Sequence, residues 1–156
     1  MPLTPAEIEI LLREPLLAHI AVACADGRPH VTPIWIAYEK GSFYFTTRLR
    51  RVKGRTLQRT SYAAISIATN ERPYRAVIVE GKVEQVKSDR DAWLLRIAKK
   101  YGEAEGERWF NYSRNEPDRV VMKLVPIKVL SWHYGRGDYS RQNQGESMET
   151  HLPVEE

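Results

Sequence analysis

One cysteine in the chain, Cys24, rules out an internal disulfide. It lies in the apolar run Ala-His-Ile-Ala-Val-Ala-Cys-Ala of residues 18–25, which reads as a buried strand and lacks the electropositive setting of a reactive thiol. The four histidines, His19, His30, His133 and His151, show no metal-ligand spacing, so no metal site is expected. No apolar run approaches the length of a membrane span, and no basic leader precedes an apolar block; the expectation is a cytoplasmic protein with no membrane partner. No nucleophile, base and orienter can be assembled from the sequence, and there is no internal repeat.

What the chain does have is positive charge in one place. Its 156 residues suit one domain, and 42% hydrophobic content supports a single core. The net charge is +4, yet residues 138–156 hold one arginine against five acids, a local −4 that leaves +8 on residues 1–137. A phosphate-bearing partner follows, with nucleotide cofactor, nucleic acid and acidic membrane all open on charge alone.

The charge concentrates after a β-hairpin. Residues 29–38 and 43–47 read as strands joined through Gly41, and the next segment carries Arg48, Arg50, Arg51, Lys53, Arg55 and Arg59 with no acid. A helix over about 51–60 would aim its free N–H groups and positive dipole end at the place where the hairpin stops. Thr46 and Thr47 could add hydroxyls there, and Trp35 and Tyr38 bring aromatic surface close by.

Elsewhere Thr4-Pro5-Ala6-Glu7 is a capping box opening a short amphipathic helix that Pro15 stops. Strands are expected at 17–24, 63–69, 75–86, 119–125 and 127–134, with Gly81 marking a bulge. Ser88-Asp89 should cap a helix whose stripe of Trp93, Leu94, Ile97, Ala98 and Tyr101 serves as core or subunit contact. A second helix over 103–112 carries Trp109, Phe110 and Tyr112, and a turn at Asn115-Glu116-Pro117-Asp118 follows. The fold class is mainly β with accessory helices: a six- to seven-stranded antiparallel split β-barrel over residues 1–137, and a polar tail or arm over 138–156.

The pattern Gly27-Arg-Pro-His-Val-Thr-Pro-Ile-Trp-Ile-Ala-Tyr, then Phe43-Tyr-Phe-Thr-Thr, then Arg50-Arg-Val-Lys-Gly-Arg-Thr-Leu resembles the pyridoxamine 5′-phosphate oxidase-like, FMN-binding split-barrel family, in particular its deazaflavin-dependent oxidoreductases. The likeness covers roughly residues 5–134. It implies a homodimer with flavin mononucleotide (FMN) or a deazaflavin (coenzyme F420) at the subunit interface, acting as an oxidoreductase on a small-molecule substrate by hydride transfer. Thr32, Pro33, Ile34 and Trp35 would then lie beside the ring system, Thr46 and Thr47 at the ribityl chain, and Arg50, Arg51, Val52 and Lys53 at the phosphate. Tyr74, Arg75, Trp109 and Tyr112 are candidates for the substrate side. The end Trp132-His-Tyr-Gly-Arg-Gly-Asp-Tyr-Ser-Arg departs from the substrate-binding Arg-Leu-His-Asp-Arg type motif of a true pyridoxamine phosphate oxidase, so that particular activity is not expected. Two other classes compete: a small nucleic-acid-binding barrel, and a non-catalytic flavin- or haem-binding protein. The compact basic cluster, unlike a groove-length stripe, favours the redox reading over nucleic acid.

Overall fold

A computed structural model describes residues 1–135 and Leu152. The elements follow in the order α1 (Pro5–Arg13), β1 (Ala18–Ala23), β2 (Pro29–Ile34), β3 (Ala37–Glu39), β4 (Ser42–Arg48), α2 (Val52–Arg59), β5 (Tyr62–Ala68), β6 (Arg75–Val86), α3 (Arg90–Lys100), α4 (Glu103–Ser113) and β7 (Arg119–His133). All seven strands join one antiparallel sheet in the order β2-β1-β5-β6-β7-β4-β3, the curled sheet of a split barrel. Among the described residues no helix is long and apolar enough to cross a membrane. Apart from Leu152, which packs half-buried against the core, the tail expected over 138–156 lies outside the described residues.

Alternation along the strands decides what fills the interior. Ile20, Ile65, Val79 and Val129 occupy successive register positions across β1, β5, β6 and β7, and all are buried. Phe43 and Phe45 close the layer from β4, and Ile8, Leu11 and Leu12 of α1 plug it from one side. The capping box that starts α1 is present as the sequence indicates: Thr4 Oγ1 accepts from Glu7 N–H, and the Glu7 carboxylate accepts from Thr4 N–H.

Three local expectations are corrected. The strand expected over 29–38 divides at Trp35 and Ile36, because Ile36 N–H donates to the Tyr101 hydroxyl instead of a strand partner, and the chain passes from β1 to β4. The two closing strands are one, β7, with Ile127 as the extra residue at the register shift opposite Glu80 and Gly81. Pro126 is accommodated at that irregularity, where a missing N–H does least harm. Asp89 holds the cap position of α3 but in the left-handed region, φ 56°, and makes no side-chain capping bond.

Candidate functional site

The basic helix α2 begins beside the end of β4, and its position depends on a small residue. A methyl at Gly54 would overlap the Arg48 carbonyl oxygen, so glycine lets the first turn of α2 sit against the β4 exit. Arg51 is the cap residue without a side-chain capping bond, which leaves the first-turn N–H groups uncapped.

In front of that turn is a cavity of about 470 Å³, walled by β2, the end of β4, the start of α2, the end of α4 and the start of β7. Thr32, Thr46, Arg51, Lys53, Tyr112 and Arg119 line it. Lys53 Nζ donates to Thr32 Oγ1 at 3.3 Å, and Arg119 Nη1 donates to Thr46 Oγ1 at 2.8 Å. The floor is ionic. The buried carboxylate of Glu116 receives Arg48 at 2.7 Å and also pairs with Arg119, whose Nε donates to it at 2.6 Å. Arg48 Nε also meets Asp118 at 3.2 Å.

Cations exceed anions on the cavity wall, where Arg48, Arg51, Lys53 and Arg119 face one carboxylate, that of Glu116. Lys53 is largely buried in this wall, and its ammonium is brought down to about 8 by that burial first and by the charge of Arg119 second. Such a site gains by taking an anion, because a nearby negative charge restores the ammonium's preference for its proton.

The residues expected from sequence divide clearly. Thr32, Thr46, Thr47, Arg51, Val52 and Lys53 come together at this cavity, and Tyr112 joins them from α4. Arg50 does not line it; its Nε lies 3.4 Å from Asp118, and its carbonyl accepts from Arg55. Ile34 is buried in the core, and Pro33 lies exposed on the opposite face of β2. Trp35 stacks parallel on Tyr101, ring centroids 4.6 Å apart, with Trp109 tilted against it at 5.3 Å. Tyr74 and Arg75 lie at the other end of the β6–β7 pair from Arg119, with Arg75 held by Glu14 at 2.8 Å.

Three lining residues were not singled out in the sequence: His30, Glu116 and Arg119. His30 shares the face of Thr32 by strand alternation, a signal the sequence carried. Glu116 and Arg119 reach the cavity only through the β4–β7 pairing, which no local pattern announces.

Comparison with known proteins bears on this arrangement. The sequence profile described as pyridoxamine 5′-phosphate oxidase matches residues 4–133. The chain belongs to that family. Its split barrel is also that of several solved structures. An F420 reductase is 29% identical, with a TM-score of 0.65 over 78% of this chain and 94% of that one. A conserved hypothetical protein from Mycobacterium tuberculosis is 22% identical, with a TM-score of 0.69 over 87% and 90%. A haem storage protein from Vibrio cholerae is 18% identical, with a TM-score of 0.66 over 86% and 98%. The last two likenesses concern the fold alone. No curated protein matches the chain in sequence.

Proposed function

We propose that this family member is an oxidoreductase that binds FMN or a deazaflavin and transfers hydride to or from a small organic substrate. The observation that carries the reading is the cavity at the start of α2. There an uncapped helix N-terminus, Arg51 and the half-buried Lys53 converge on one space, which is the donor set a phosphate requires. The residues therefore fit the group. Thr32, Thr46 and Thr47 supply hydroxyls along the same wall for the polar chain that joins phosphate to ring.

When bound, the cofactor supplies the redox chemistry, and the chain supplies binding, orientation and exclusion of water. The Trp35–Tyr101–Trp109 cluster stiffens the segment after β2, so that the backbone from Thr32 to Trp35 is held in place. Tyr101 locks the arrangement by donating to Leu16 carbonyl at 2.8 Å while accepting from Ile36 N–H at 3.1 Å.

We place the cofactor at a homodimer interface. Support for the dimer comes from the outer sheet face, opposite the Thr32 side of β2, where Val31, Tyr62 and Ile127 are 58%, 62% and 69% exposed around small residues of β1 and β5. An apolar face of this kind fits a second copy of the chain. On this reading Tyr74, Arg75, Trp109 and the exposed Tyr112 are the side chains to test for substrate contact across subunits.

The deciding experiment is an absorbance spectrum of the purified protein, followed by parallel fluorescence titrations with FMN and the deazaflavin. Tight saturable binding of either supports the proposal and names the cofactor. Binding of neither, or a haem band in place of a flavin one, overturns it.

A further inference from the structure

At the end of the β4–β7 pairing two arginines, Arg48 and Arg119, stand directly opposite each other. Like charges in that position disfavour a sheet, and both side chains are largely shielded from solvent, each 14% exposed. The fold tolerates the pair because one buried carboxylate, Glu116, lies between them. The two guanidiniums are not equivalent. Arg48 is neutralised twice, by Glu116 and Asp118. Arg119 shares Glu116 and spends its Nη1 on the neutral hydroxyl of Thr46, in the cavity wall.

A guanidinium has five N–H donors, and the contacts with Glu116 and Thr46 use three, leaving two without a partner among the described residues. The Trp109 ring, with its centroid 5.8 Å from the guanidinium carbon, backs the group on one side. Its charge is felt at Lys53 from across the cavity.

We propose that Arg119, oriented by the carboxylate of Glu116, is an anion-binding residue of this cavity and takes a phosphate monoester jointly with Lys53. The proposal rests on the reading of the cavity as a phosphate site. Glu116 is a positioning residue: it fixes the fork of Arg119 and touches no ligand. The site then reads the terminal phosphate from two sides, α2 and β7, and discriminates a phosphorylated flavin from its dephosphorylated form.

Calorimetric titrations of the full chain with inorganic phosphate, FMN and riboflavin test this in the unmodified protein, Arg119→Gln, Arg119→Lys and Glu116→Gln. Thermal transitions verify that each variant folds, and Arg119→Lys keeps the charge beside Glu116 should the glutamine variant fail to fold. In Arg119→Gln, phosphate and FMN should weaken about 10- to 100-fold while riboflavin is unchanged, with partial recovery in Arg119→Lys. Equal weakening of FMN and riboflavin, or unchanged phosphate affinity, would overturn the assignment. Glu116→Gln raises the positive charge of the cavity, so tighter FMN binding there would overturn its positioning role; weaker FMN binding with riboflavin unchanged supports it.

The two readings fail separately. Phosphate binding that depends on Arg119, in a protein that binds no flavin, upholds this assignment and defeats the cofactor proposal. FMN binding that ignores Arg119 does the reverse. Binding of neither phosphate, FMN nor the deazaflavin to the unmodified protein overturns both.

Discussion

Lys53 Nζ lies 3.3 Å from Thr32 Oγ1, joining the first turn of α2 to β2 across the cavity. The contact brings together two residues 21 positions apart, and both face the space that a phosphate-bearing chain would occupy. Replacement of Lys53 by alanine should weaken FMN or deazaflavin binding, and Arg51→Ala should do the same. Loss of a charge-assisted phosphate contact costs about 1.5 to 3 kcal/mol in each case. Fluorescence titration checks it, and unchanged affinity in both variants would remove the proposed phosphate grip.

The pH dependence of that binding follows from the state of Lys53. Without ligand its ammonium loses its proton near 8, because burial and Arg119 disfavour the charge. A bound phosphate favours the charged form, so the complex holds the proton to higher pH, and above about 8 binding must be accompanied by proton uptake. Affinity for FMN should therefore decline as pH rises through about 8. In Lys53→Met that decline should vanish, which titrations at three pH values would reveal.

Tyr101→Phe tests the aromatic cluster. The lost hydroxyl leaves the N–H of buried Ile36 without its acceptor and the Leu16 carbonyl without its donor. The expected destabilisation is about 1 to 3 kcal/mol, measured by urea unfolding, with the chain otherwise folded. A change below about 0.5 kcal/mol would mean that neither bond contributes as described.

Ile127→Asp tests the outer sheet face. Ile127 is the bulged residue of β7 and is 69% exposed in the single chain, so the substitution costs the monomer little. If a second copy covers this face, light scattering should show a dimer for the unmodified protein and a monomer for the variant. A variant with the same mass as the parent would place the subunit contact elsewhere.

Much of this molecule was legible before its structure. The capping box of α1, the turn at Gly41, the uncapped basic start of α2 and the bulge at Gly81 each depend on a few neighbouring residues, and each occurs where the sequence indicates. Where a single expected strand became two, at Trp35 and Ile36, the decision lay with Tyr101, 65 residues away from Ile36. Where two became one, cross-strand pairing with β6 carried β7 through Pro126.

The site divides in the same way. Local pattern and charge suffice to nominate Thr46, Arg51 and Lys53, because strand and helix periodicities set which side chains share a face, whereas Thr32 came from the family resemblance. They could not separate Arg51 from Arg50, or show that Arg48 is already neutralised, since the carboxylates of Glu116 and Asp118 come from a turn about 70 residues later. Nor could they bring Arg119 to the cavity. The sequence by itself determined most of the elements, the family and the cation-rich start of α2, all of which follow from short-range pattern. Only the tertiary structure decided which cations keep free donors, because ion pairing is settled by the register of β4 against β7, a long-range contact that local pattern does not encode.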